Sequence, residues 1–229
     1  MKRIAVPTRS AEEWKRLLAQ PDLHWKAGYF AMTLALSWEA AHPSAPAEVL
    51  AALDASGDTR LRDRSLVLAV PEWQVDLPGG RRPSQTDLLA LMRGSGGLVA
   101  LAVEGKVDEP LGPTVGDKRS EHSAGVDERL DWLIALLGLG SSCPDTVRYQ
   151  LLHRTASAVL AAQEFDAAAA VMLIHSFSPT RMWFGDFVAF AELFGVTPGL
   201  DEVVYVGEYG GIPLWIGWCC GDQRFREMV

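Results

Sequence analysis

The chain is short of the residues that would commit it to several common classes. Its three cysteines, Cys143 and the adjacent Cys219 and Cys220, cannot build a disulfide framework in 229 residues. None falls in a C-x-x-C pair, which removes the usual structural zinc site. Positive charge is in deficit: 21 Lys and Arg against 29 Asp and Glu leave −8. That excludes a basic protein that coats nucleic acid, while still permitting a local basic lip. No uncharged apolar run reaches the roughly 18 residues of a membrane span. The opening stretch MKRIAVPTRSAEEWKRLL has charges but no apolar core of leader length. The expectation is a reduced, cytoplasmic protein with no membrane partner.

Catalytic motifs are missing too. The histidines (His24, His42, His122, His153, His175) show neither H-x-x-x-H nor H-E-x-x-H spacing, so a zinc hydrolase has no support. There is no G-x-S-x-G elbow. Gly94-Ser-Gly-Gly97 lacks the Lys and Ser/Thr of a P-loop and reads as a hairpin turn.

What is present is ample apolar residue, 48% of the chain, for one core, and one domain over residues 1–229 is expected. Ser10-Ala-Glu-Glu13 has capping-box form before a short helix. Phe30, Leu34 and Trp38 form a helical stripe within about 25–41, and Pro46 opens a third helix through Leu53. Three strands follow: 65–77, with Pro71 marking an edge or bulge, then 87–93 and 97–107. Residues 110–125 read as a loop. Helical periodicity returns over 126–139 and 147–165, then a buried strand at 169–177, a helix at 183–194, and two strands around Tyr209-Gly-Gly211. The fold class is α/β: a mixed sheet flanked by helices, with N-terminal helices and a C-terminal hairpin.

The stretch Leu98–Glu109 carries the chemistry. Side chains alternate along a strand, so Glu104 and Lys106 share the face of Ala100 and Ala102, opposite Val99, Leu101 and Val103. A glutamate and a lysine among small residues are costly when buried without partners. Asp87, in Pro83-Ser-Gln-Thr-Asp87, starts the preceding strand, and antiparallel pairing brings that start to the end of the next. Two carboxylates and a lysine therefore converge, expected within about 5 Å, and hard oxygens of this kind suit Mg²⁺ or Mn²⁺.

The Pro-Ser-Gln-Thr-Asp stretch followed by Glu104-Gly-Lys106, flanked by helices, resembles the PD-(D/E)XK nuclease superfamily, with its restriction-endonuclease-like core, over about residues 25–177. The resemblance implies Mg²⁺-dependent phosphodiester hydrolysis. Asp87 and Glu104 would hold the metal, and Lys106 would position or activate the attacking water. It further implies a third acid from a preceding helix, for which Glu39 is the candidate, and a Gln or basic residue from the helix after the third strand, which Gln150 and Arg154 offer. The departure from the motif is that three residues separate Pro83 from the acid.

Charge distribution is compatible with this function. Residues 58–93 hold six arginines against five acids, a balance of +1 that leaves −9 for the rest. Arg81 and Arg82, just before Asp87, would form a lip for nucleic acid, DNA ahead of RNA. The alternative is a nuclease-like fold without turnover that serves as an interaction or assembly module. Trp183, Phe184, Phe187, Phe190, Phe194, Trp215 and Trp218 would then supply a protein-protein surface, a homodimer included.

Overall fold

The computed structural model describes residues 7–80, 82–140 and 143–228. Two short helices, α1 (Ala11–Trp14) and α2 (Pro21–His24), lead into α3 (Phe30–Ala41) and α4 (Ala47–Ala55). Strands β1 (Ser65–Val75), β2 (Ser84–Gly94) and β3 (Gly97–Lys106) follow as an antiparallel meander. Helices α5 (Val115–Arg119), α6 (Ala124–Leu136) and α7 (Tyr149–Glu164) then cross over to β4 (Ala169–Ser176). The chain ends with α8 (Phe184–Ala191), the hairpin β5 (Glu202–Tyr209) and β6 (Ile212–Cys220), and α9 (Arg224–Glu227). The six strands lie in the order β1-β2-β3-β4-β6-β5, with β4 parallel to both β3 and β6. This is the expected mixed α/β sheet flanked by helices.

Strand parity sorts the sheet into two apolar faces. Leu88, Ala90, Met92, Val99, Leu101 and Val103 pack against Leu34, Ala35 and Trp38 of α3 and Val49, Ala52 and Leu53 of α4. Leu89, Leu91, Ala100 and Ala102 pack against Leu151, Leu152, Ala156 and Val159 of α7. Every residue of β4 is buried, as a strand covered on both faces requires. The 3.6-residue periodicity lays α7 along the sheet, and its N-terminal half crosses the ends of β2 and β3.

Local differences from the sequence expectations have local causes. Helix α3 begins at Phe30 rather than near Trp25, because Gly28 takes a left-handed φ of 74° just before it. Ser10 makes no side-chain cap bond. The capping box belongs instead to Thr114 and Asp117, which start α5 inside the stretch expected to be a loop. Strand β2 begins at Ser84, so Asp87 lies within it rather than at its start. Phe187, Phe190, Trp215 and Trp218 are buried, which removes them from any docking surface. They are core, while Trp183, Phe184 and Phe194 are half-buried.

Candidate functional site

The register of the meander places three acids in one row. Rungs Leu88↔Val103 and Leu89↔Ala102 put Asp87, one step further on, across from Glu104. Rungs Pro71↔Leu88 and Trp73↔Thr86 put Glu72 across from Asp87 on the other side. Residues facing one another in this way have Cβ atoms about 5 Å apart. Asp87 Oδ2 accepts a hydrogen bond from the Gly105 amide at 2.8 Å, which ties it to the strand it faces. Asp87, Glu104 and Lys106 lie on the α7 side of adjacent strands, and all three are buried; Glu104 is 2% exposed and Lys106 3%.

The cations come from β3 and α7. Lys106 Nζ donates to Glu104 Oε1 at 2.8 Å. Gln150 Nε2 donates to the same oxygen, and Arg154 Nε donates to Oε2. Gln150 and Arg154 stand one helical turn apart on α7, so both reach the carboxylate that faces the helix. Arg154 is fixed in turn. One of its terminal nitrogens donates to Ser84 Oγ at 3.0 Å, and Ser84 Oγ lies 2.9 Å from His153 Nδ1 and accepts from Ser157 Oγ at 2.8 Å.

These contacts set the charge states. Burial alone would raise Glu104, but Arg154 and Lys106 outweigh it and hold this carboxyl below its ordinary value. Asp87 has no such direct cation among the described residues, and burial together with the Glu104 charge pushes it up to about 7. Burial and the Asp87 charge push Glu72 up to about 8. Burial and the Arg154 cation keep His153 well below the usual imidazole range. It is therefore neutral, and its Nδ1 is free to accept from Ser84.

Not every expected residue arrives. Glu39 lies on α3, the layer that packs on the opposite face of the sheet, and its Oε1 accepts from Trp14 Nε1 at 2.7 Å. It is a clamp for the N-terminal helix, not a wall of the site. Arg82 is exposed in the turn before β2, and Arg81 lies outside the described residues. Glu72, Ser84, His153 and Ser157 are additions that the sequence reading missed. The stripe Gln150, His153, Arg154, Ser157 on an otherwise Leu- and Ala-rich helix was a signal available for two of them, His153 and Ser157.

The donor chemistry fits a hard dication. Among the described residues, no three His, Cys, Asp or Glu side chains form a group able to hold a metal ion by themselves. Mg²⁺, however, is commonly held by one or two carboxylates with water completing its shell. Asp87 and Glu104 supply two, and Gln150 Oε1 is a buried acceptor without a hydrogen-bond partner that a water in that shell would satisfy.

Fold and cluster together define the class: an α/β protein whose mixed sheet carries a row of carboxylates, Asp87 and Glu104 buried and Glu72 half-buried, neutralised in part by a lysine from the sheet and an arginine from the following helix. Within that class, the chain belongs to the family described as the domain of unknown function DUF6946, whose match spans residues 7–223. No curated protein and no solved structure matches the chain. Among the described residues, no helix is long and apolar enough to cross a membrane.

Proposed function

We propose that the protein is a metal-dependent phosphodiester hydrolase acting on nucleic acid through a PD-(D/E)XK-like site. The observation that carries this reading is the burial of Asp87, Glu104 and Lys106 on one face of adjacent strands, with Gln150 and Arg154 brought to Glu104 by the helix after the third strand. Asp87 and Glu104 would hold Mg²⁺ or Mn²⁺, which when bound polarises a phosphate and lowers the pKa of bound water. The residues of the chain do the rest. Lys106 places an ammonium beside the carboxylate pair, where it orients a water or offsets charge developing on a phosphate oxygen. Gln150 Oε1 accepts a hydrogen bond from that water. Arg154 shares the Glu104 charge and, held by Ser84, keeps the carboxylate in one orientation.

DNA is the substrate placed ahead of RNA, drawn toward the arginine-rich segment that precedes Asp87. The site of action is the reducing cytoplasm, a reading supported by three unpaired cysteines. Purified protein with Mg²⁺ or Mn²⁺ is to be offered single- and double-stranded DNA and RNA. Cleavage is expected, and Asp87→Asn and Glu104→Gln are expected to abolish it. Turnover that survives both substitutions, or no turnover on any substrate, overturns the proposal.

One observation favours the second reading, a nuclease-like fold without turnover. Both oxygens of Glu104 are already engaged, Oε1 by Lys106 and Gln150 and Oε2 by Arg154. An ion must take over part of that coordination. A folded wild-type protein that binds no Mn²⁺ in calorimetry would select this reading.

A further inference from the structure

The carboxylate row extends past Asp87 to a residue that the resemblance does not supply. We propose that Glu72 of β1 is a positioning residue for the divalent ion of this site and holds the ion's water shell on the far side of Asp87 from Glu104. The inference rests on the metal-dependent reading above.

Three observations support it. The first is register: Glu72, Asp87 and Glu104 occupy consecutive positions across β1, β2 and β3. The charges confirm the neighbourhood, because Glu72 feels Asp87, Arg154 and Glu104 together. The second is the backbone. Glu72 adopts φ 56° in the middle of an extended strand, a left-handed conformation that is unfavourable for a side chain with a Cβ. A side chain held this way is fixed by its surroundings, and Gln85 Nε2 donates to its Oε2 at 2.5 Å.

The third is charge balance. With Asp87 and Glu104 alone, Lys106 and Arg154 would already neutralise the site, leaving no net attraction for a cation. Glu72, in its carboxylate form, supplies the excess negative charge. One dication then leaves a single positive charge, which one phosphodiester neutralises. Direct coordination by all three acids is not what the side chains offer, since no such group among the described residues could hold an ion. Glu72 therefore acts through water, as outer-shell carboxylates commonly do. Gln150 Oε1, the buried acceptor without a partner, is the second group that the same shell would satisfy.

The test is calorimetric titration of the full chain with MnCl₂ at pH 8. Glu72→Gln keeps the size of the side chain and one acceptor oxygen for the Gln85 amide, and is expected to fold. It should weaken Mn²⁺ binding about 10- to 100-fold, the usual cost of losing an outer-shell partner. Asp87→Asn should abolish binding, and Glu39→Gln should match wild type. Thermal melting without metal separates the role from a structural one, since Glu72→Gln should melt no lower than wild type. If Glu72→Gln fails to fold, Gln85→Ala, which leaves the carboxylate and removes the amide that orients it, should weaken Mn²⁺ several-fold. Binding by Glu72→Gln within twofold of wild type, with Asp87→Asn inert, overturns the role of Glu72 alone. Binding that survives Asp87→Asn, or no binding by wild type, overturns the ion site and this inference with it.

Discussion

The two faces of strands β2 and β3 are built from the same backbone and answer to different demands. One face presents Leu88, Leu101 and Val103 to α3 and α4, with the uncharged Thr86 next along the same strand face. The other is equally apolar over Leu89, Leu91, Ala100 and Ala102, then turns to Asp87, Glu104 and Lys106 without becoming exposed. Both ends are covered, so solvent access does not explain the difference. Burying ions where hydrocarbon would fit commonly gains no stability, because desolvation can exceed the attraction between the charges. The charged cluster on this face is therefore weak evidence for stability, and substitution is what separates a structural role from a binding one.

The sharpest way to break this comparison is to remove one member of the cluster. Glu104→Ala leaves the Lys106 ammonium and the Arg154 guanidinium buried without the carboxylate that both of them bind, and is expected to cost about 3–5 kcal/mol in urea denaturation. Replacing the set together, Glu104→Leu with Lys106→Met and Arg154→Leu, should return most of that stability while Mn²⁺ binding stays lost. On the other face, Leu101→Ala is expected to cost about 2–5 kcal/mol by leaving a cavity, with Mn²⁺ affinity unchanged in the folded protein. A triple variant as unstable as Glu104→Ala would show that the ions hold the fold, and the contrast between the faces would fail.

A smaller effect follows from the protons that the charged face holds. Asp87 is raised to about 7 and Glu72 to about 8, so the folded apoprotein binds protons that the unfolded chain has already released. Their contribution to stability is complete below the ordinary carboxylate range near pH 4, and is lost as pH rises through about 7 and 8. Metal binding runs the other way, because a cation competes with those protons. Mn²⁺ affinity is expected to rise between pH 6 and 8, about tenfold per pH unit for each proton displaced, and to level off above. Calorimetry in buffers of different ionisation enthalpy counts those protons. A flat profile would mean that neither acid meets the ion.

How much of this was legible follows from the distance over which each signal acts. The shared face of Glu104 and Lys106 needs only the two-residue alternation of one strand, and the structure keeps it. Pairing Asp87 with Glu104 needs one hairpin, and the short turn at Gly94–Gly97 sets it. Gln150 and Arg154 need only the helical repeat once the helix is known to lie over that face. Glu39 was misplaced because nothing in a helical stripe says which face of a sheet the helix will cover, and its partner Trp14 is 25 residues away. Glu72 escaped for a different reason. A left-handed residue inside a strand breaks the alternation on which any facing argument depends.

The smallest expected effect tests how firmly the charged face is held in place. Ser84 Oγ stands where Arg154, His153 and Ser157 meet, donating to His153 Nδ1 while accepting from the other two. Ser84→Ala deletes the acceptor and leaves an arginine nitrogen and the Ser157 hydroxyl to find other partners. Ser157 has one in the His153 carbonyl at 2.7 Å, and Arg154 keeps Glu104. The cost is therefore that of one under-satisfied buried site, about 1–2 kcal/mol in chemical denaturation. The apolar face should not respond, so the melting cooperativity of the whole sheet stays intact while Arg154 gains freedom beside Glu104. That freedom should appear as a two- to fivefold change in Mn²⁺ affinity, because an arginine that lets go of Glu104 more readily leaves a better anion for the ion. An affinity identical to wild type at reduced stability would limit Ser84 to packing, and would place the control of Glu104 in Lys106 and Gln150 instead.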